Sequence, residues 1–306
     1  MGLIESNAKI SSDGAPVESP SNPYGKKTCD CSKKGIRHCK CKRRFSDPLA
    51  RWGWDSYHKR YFFGYTLYAI STNNGRYDLP LHFILPHLYR HDSVSAVIAL
   101  SQLKTIHPEQ NFSYFIADSA HDNTATYRLC RFYGLNPIIE LNPKNTSKEK
   151  VASFDDYGRP ICPLGLPMVN WGYNRDRCRI KWRCPILASK KTKKQLGECP
   201  IRELCSGSSY GRVIYTYPET NLRLFTNPPR GSKLWEDIYS KYRSSAERCM
   251  KRILIDYKLE SARVYSRKQW IWRIAFICIN IHLDAWIDSA RPNIVGKLAS
   301  WAQKAA

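Results

Sequence analysis

Phe112-Ser-Tyr-Phe-Ile-Ala-Asp118-Ser-Ala-His-Asp-Asn123 is the stretch on which the reading of the fold turns. The run Phe112 to Ala117 is apolar and aromatic and too short for a globular helix, so it reads as a buried strand. It ends on an acid, Asp118. Small polar residues follow, and Thr124 to Tyr133 then carries apolar side chains at helical spacing, with Asp122 or Asn123 placed as N-cap. Open α/β sheets place reactive groups at the carboxyl ends of buried strands, facing the turn into a helix. An ordinary strand-ending Asp that caps the next helix has the same pattern, so the rest of the chain must decide.

Upstream, Arg51-Trp-Gly-Trp-Asp55 leads into Tyr61 to Thr72, a β-stretch rich in aromatic and β-branched residues. Asn73-Asn74-Gly75 supplies a turn and Leu79 to Leu88 the returning strand. Residues 92–106 read as an amphipathic helix, and Pro137 to Leu141 as a strand after the 124–133 helix. Near the start, Ala8-Lys-Ile-Ser-Ser12 reads as a short strand ending in an Asp13-Gly14 turn. Antiparallel strands followed by alternating helix and strand describe a mixed α/β sheet. Leu234 to about Glu260 reads as one long charged helix, with Arg243 and Lys251 one turn either side of Glu247. Lys268 to Trp286 reads as an apolar core helix packed beneath it. Arg273, Asn280, His282 and Asp284 interrupt that window, which argues against a membrane span.

The charge stands out. Among 306 residues, 49 Lys+Arg face 26 Asp+Glu, a net charge of +23, while 42% hydrophobic content is that of a folded protein. That excess points to a polyanionic partner. Residues 1–23 are polar and Pro/Ser-rich and show no signal peptide. The 12 cysteines fall in close groups, which fits metal binding in a reducing compartment better than disulfides. Cys29-x-Cys31 and Cys39-x-Cys41 can give four thiolates to one tetrahedral Zn²⁺, with free thiols or disulfides as the alternative. Residues 26–44 around these cysteines carry nine Lys/Arg, among them Lys42, Arg43 and Arg44, against Asp30 alone.

Asn142 to about Gly231 is a basic, Pro/Gly/Cys-rich stretch with short strands. Cys162, Cys184, Cys199 and Cys205 are candidates there for a second, less regularly spaced zinc site. Arg177 to Cys184 alternates strictly. As a strand it puts Arg177, Arg179, Lys181 and Arg183 on one face, suited to nucleic acid, and Cys178, Ile180, Trp182 and Cys184 on the other.

Three acids thus recur in order: Asp13 after a first strand, Asp118 after a second, and Glu247 on a late helix, with a basic insertion between the last two. Brought together, three carboxylates hold hard divalent cations such as Mg²⁺ or Mn²⁺, and a pair of such ions serves in-line phosphoryl transfer.

Several stretches, in this order and spacing, resemble the DDE transposases of bacterial insertion sequences. They are Ser12-Asp-Gly-Ala15, the paired C-x-C segment, Phe45-Ser-Asp-Pro-Leu-Ala-Arg-Trp-Gly-Trp-Asp55 and Ala117-Asp-Ser-Ala-His-Asp122. Tyr210-Gly-Arg212, Asn227-Pro-Pro-Arg230 and Tyr242-Arg-Ser-Ser-Ala-Glu-Arg248 complete the set. The resemblance implies a ribonuclease H-like α/β core with a mixed sheet and flanking helices, plus a basic β-rich zinc-binding insertion. It makes Asp13, Asp118 and Glu247 the metal carboxylates, and Arg243 and Lys251 contacts to the DNA backbone near the scissile phosphate, with Arg248 a further DNA contact. Against a related pattern of Tyr, Arg, Glu and Lys, Ser240 stands at the Tyr position and Leu254 at the Lys position.

The expected organisation is an N-terminal segment with the first strand (1–23), a zinc loop (24–50), core (51–141), insertion (142–231), core-completing helices (232–290) and a tail (291–306). The expected activity is strand cleavage at element ends followed by transfer of the 3′-hydroxyl into target DNA. Its partner is double-stranded DNA, on which the chain forms at least a dimer, in the cytoplasm at the nucleoid and away from membranes. Only twelve residues precede Asp13, so the end-binding domain usual in such enzymes is expected to be missing from this chain. A non-catalytic zinc-containing DNA-binding remnant and a nuclease without strand transfer are the alternatives.

Overall fold

The computed structural model describes residues 3–55, 58–86, 91–142 and 153–305, apart from the side chains of 292–294, 298–299 and 301–305. The strands β1 (Ala8–Glu18), β2 (Lys26–Lys27), β3 (Arg43–Arg44), β4 (Arg51–Asp55), β5 (Arg60–Asn73) and β6 (Asp78–Ile84) precede helix α1 (Asp92–Ile106). Then come β7 (Phe112–Ala117), α2 (Thr124–Phe132), β8 (Asn136–Ile139), β9 (Val169–Asn174) and β10 (Arg179–Arg183). Short helices α3 (Pro185–Ala188), α4 (Lys190–Leu196) and α5 (Arg202–Cys205) lead to β11 (Val213–Thr216), α6 (Lys233–Lys251) and α7 (Arg267–Ala305). Two compact units result: Met1–Gln110 with Ser244–Ala306, and Asn111–Arg243.

In the first unit β5 is the spine. β1 pairs antiparallel along one edge, from Ile10 opposite Thr72 to Glu18 opposite Gly64. The other edge is shared: β4 takes the first half of β5 and β6 the second. Gly64 is required where three strands crowd, because a Cβ there would stand 2.1 Å from the Val17 carbonyl oxygen. Strand alternation sends Ala15, Val17, Tyr65, Leu67 and Ala69 to one face, where they form a core with Met250, Ile253, Trp270, Ile274 and Ile281. On the opposite face lies α1: a Cβ on Gly14 would come within 3.0 Å of the Asp92 carboxylate at its start.

Several local expectations are corrected here. β1 does not turn at Asp13-Gly14; pairing with β5 continues through both residues, so the ladder overrides a weak local turn signal. β6 ends at Ile84, and residues 87 and 88 of the expected strand lie outside the described residues. The long charged helix stops at Lys251. A wider π turn follows over Arg252–Asp256, closed by the Tyr257 N–H on the Arg252 carbonyl, and Lys258 ends it at φ +53°. The apolar helix α7 is core on one face only. Trp270, Ile274, Ile277, Ile281 and Ala285 are buried, while Trp272, Phe276, Ile279, Leu283 and Trp286 on the other side are about half exposed. By length and composition alone, Arg267–Arg291 would suffice to cross a membrane. Two of its polar interruptions serve the unit, since His282 Nε2 lies 2.7 Å from the Pro80 carbonyl and Asp284 accepts from Arg252.

In the second unit β7 and β8 are parallel, joined through α2, as a short β–α–β crossover requires. Ile116 and Ile138 of these strands pack with Trp235, Ile238 and Tyr242 of α6. β9, β10 and β11 form an antiparallel sheet of their own over Cys162, Met168, Ile180 and Trp182. The Trp182 indole N–H is satisfied there by Thr216 Oγ1 at 2.9 Å.

Candidate active site

Asp118 leaves the end of β7 with its carboxylate turned back over the following 3₁₀ turn. Its Oδ1 accepts the Ala120 N–H at 3.1 Å and lies 2.6 Å from His121 Nδ1, and its Oδ2 is 4.0 Å from Arg243 Nη2. Burial works against the charged carboxylate. The His121 hydrogen bond and charge, Arg243 and the Ala120 N–H together outweigh it, and the group sits below the usual carboxylate range. Asp118 is therefore an ionised oxygen donor at neutral pH, with about a third of its side chain open to solvent. His121, by contrast, is buried.

The turn beneath it is built from polar groups that the sequence reading did not single out as functional. Asn123 caps α2 by accepting the Thr126 N–H, so the expected cap is in place. The fully buried Asp122 receives a bidentate Arg223 guanidinium, the Tyr127 hydroxyl and the Asn142 N–H. Arg230, also buried, donates to the Ile139 and Arg223 carbonyls and to Tyr127. A carboxylate or guanidinium taken out of water needs such partners, and the resulting lattice fixes the loop between β7 and α2. The signal for it was the cluster of arginines at 223 and 230, a hundred residues away along the chain, which no local pattern connects to Asp122.

Asp13 and Glu247 belong to the first unit. Asp13 is directly opposite Ala69 and shares the face of Ala15 and Val17, the face on which Cys249 and Met250 of α6 also pack. Its own Oδ1 accepts the Gly14 N–H at 3.0 Å. Glu247 is exposed on α6, one turn after Arg243 and one turn before the exposed Lys251. Arg248 is committed elsewhere: its Nε and Nη2 hold Asp78 at 2.7 and 3.1 Å, with Ser245 Oγ on the same carboxylate.

The basic face expected over Arg177–Cys184 is shorter than its alternation suggests. β10 starts at Arg179; Arg177 and Cys178 lie in the preceding turn, where Cys178 adopts φ +45° and is exposed rather than on the apolar face. Within β10 the alternation holds, with Ile180 and Trp182 buried and Arg179, Lys181 and Arg183 on the outer side. The Arg179 guanidinium lies over the Tyr215 ring (3.8 Å to the ring centre) and that of Arg183 over Trp171 (4.1 Å). Trp171 is half exposed beneath that arginine, while Trp182 is core.

Cys29, Cys31, Cys39 and Cys41 come together, with all four sulfurs within 4.8 Å of one another. They compete for protons: the Cys31 backbone N–H and the neighbouring thiols draw Cys29 down to about 7, while Cys41 and Cys29 push Cys31 up to about 12. Cys162, Cys184, Cys199 and Cys205 do not form a group as tight as that one. Cys162 is buried in the apolar cluster under β10 and Cys184 stands at the start of α3, and no comparable ligand group containing them occurs among the described residues. Of the basic loop residues, Arg43 donates to the Tyr24 carbonyl, and Lys42 and Arg44 are exposed.

Residues 23–281, well over half of the chain, match the family described as Transposase DDE domain; Asp118 and Glu247 fall within the match and Asp13 lies ahead of it. No curated protein and no solved structure matches the chain. The mixture of antiparallel and parallel strands with flanking helices fits the ribonuclease H-like core of such enzymes. The chain belongs to the transposase DDE domain family.

Proposed function

We propose that this protein cuts DNA at the ends of an insertion sequence and joins the freed 3′-hydroxyl to target DNA. The observation that carries this reading is Asp118: an acid kept ionised at the end of β7, partly open to solvent, and braced by His121 from a buried scaffold. Mg²⁺ or Mn²⁺ would be held by Asp118 with Asp13 and Glu247, and would supply Lewis-acid activation of a water or 3′-hydroxyl nucleophile and of the leaving oxygen. Asp118 fits that cation as a charged oxygen donor. His121 keeps the Asp118 Oδ1 oriented, and Arg243 offers a guanidinium beside Oδ2 for a neighbouring phosphate oxygen. Arg179, Lys181 and Arg183 supply a cationic face for the DNA backbone, with Arg177, Lys42, Arg44 and Lys251 as further contacts. Joining two element ends requires at least two copies on the DNA, acting at the nucleoid in the cytoplasm.

The test uses the full chain with duplexes copied from both flanks of its reading frame, in Mg²⁺ or Mn²⁺, scored for nicked 3′ ends and joined products. Both are expected from the native chain and neither from Asp118→Asn or Glu247→Gln. Nicking without joining would favour a nuclease, and salt-sensitive binding without cleavage a remnant. Cleavage that persists in both variants would overturn the assignment.

A further inference from the structure

Between β2 and β3 the chain runs for fifteen residues with almost nothing apolar to fold around. No residue from 26 to 44 is buried, and Ile36, the one aliphatic side chain there larger than cysteine, is half exposed. β2 and β3 contribute two pairs only, Lys26 with Arg44 and Lys27 with Arg43. A two-stranded ribbon of that size does not hold itself together in water. Nine Lys/Arg repel one another along it, and the single acid, Asp30, is spent on Lys33.

What the segment does bring together is sulfur. Cys29 and Cys39 are 3.5 Å apart, Cys31 and Cys41 are 3.6 Å apart, and no pair among the four exceeds 4.8 Å. A disulfide would need about 2.05 Å. A tetrahedron of Zn–S bonds of about 2.3 Å has sulfur–sulfur edges of about 3.8 Å. Local bonds shape the chain around that point: the Lys34 and Ile36 N–H groups both donate to the Cys31 carbonyl, Lys27 Nζ to the Arg37 carbonyl and Thr28 Oγ1 to the Lys42 carbonyl.

We infer that Cys29, Cys31, Cys39 and Cys41 bind one structural Zn²⁺ that replaces the missing apolar core of the 26–44 hairpin. Four thiolates close the coordination sphere, so the ion has no open position for substrate and stands outside the strand-cleavage chemistry. A Zn²⁺ with four thiolates carries a net charge of −2, which the surrounding Lys and Arg neutralise with cations to spare. Metal binding here completes the folding of the hairpin, since its few local hydrogen bonds are exposed to water and no apolar core supports them. The inference stands independently of the proposed transposition and needs no DNA to test.

The full chain purified under reducing conditions is expected to contain one zinc per molecule. That zinc should be lost in the double variant Cys31→Ser/Cys41→Ser and kept in Cys178→Ser, which removes an exposed thiol outside the cluster. Exchange for Co²⁺ should give the intense visible bands of a tetrahedral ion and near-ultraviolet sulfur-to-metal charge transfer. Trypsin should spare Lys33 to Arg44 in the zinc form and cut there first once the metal is chelated, while far-ultraviolet circular dichroism stays nearly unchanged because no residue of the segment is in a core. Zinc in the cysteine variant equal to that of the native chain would overturn the inference. So would the absence of both zinc and cobalt binding from a folded chain, or a Cys29–Cys39 or Cys31–Cys41 disulfide in freshly reduced protein.

Discussion

Replacing Arg223 by methionine probes how the loop after Asp118 is held. Asp122, which follows it by four residues, has no solvent-exposed side-chain surface, and Arg223 reaches it with Nε at 2.8 and 2.9 Å and Nη2 at 2.6 Å. Removing one partner of a buried ion pair costs about 3–5 kcal/mol, because the other charge stays behind without compensation. Two considerations set the value at the lower end. Asp122 keeps the Tyr127 hydroxyl at 3.0 Å and the Asn142 N–H at 2.7 Å, and about a fifth of Arg223 is already in water. The expected loss is therefore about 3 kcal/mol. Arg223→Lys keeps the charge but loses the fork, and should fall roughly midway, near 1.5 kcal/mol. Urea unfolding of the three proteins, followed by circular dichroism and tryptophan fluorescence and extrapolated linearly, gives the differences where the two signals coincide. If Arg223→Met unfolds within about 1 kcal/mol of the native chain, Asp122 is not held by this pair, and the scaffold proposed beneath Asp118 is wrong.

Asp78 gives a pH signature. Burial raises its pKa, but Arg248, Ser245 and Asn73 more than compensate, so the folded carboxyl lies below its ordinary value. Its stabilisation is therefore complete above the unfolded value, about 3.9, and is lost as pH falls through the lower folded value. Asp78→Asn should be less stable than the native chain at pH 7, with the gap closing below about pH 4 in thermal melts; a gap unchanged down to pH 2 would show that charge is not involved. Binding to non-specific duplex DNA should weaken linearly in log–log plots against salt, and Arg183→Ala should lower that slope by about 1. Arg248→Ala, whose guanidinium is occupied by Asp78, should lower stability and leave the slope unchanged. An equal slope change in both would contradict the separation of structural from DNA-facing arginines.

How much of this was legible beforehand varies with the range of the interactions. β7, the cap at Asn123, helix α1 and the Asn73–Gly75 turn were readable because each depends on neighbours a few residues away. The pairing of cysteines was readable too, since two C-x-C motifs in thirteen residues leave a short chain to close. The turn expected at Asp13-Gly14 was not, because an unbroken register along β5 outweighs a local preference that is worth little by itself. The end of α6 at a π turn and the late start of β10 are of the same kind: spacing along the chain does not specify which residues tertiary packing will bury.

The amino-acid order alone determined the strand-ending acid, the positive charge and the sulfur loop, since these rest on periodicity, composition and short-range spacing. Only the tertiary structure decided that Asp122 would be locked by Arg223 and that Arg248 would be spent on Asp78. Those contacts join residues 101 and 170 positions apart, and which cation meets which carboxylate is settled when the chain folds and a charge losing water needs the nearest partner.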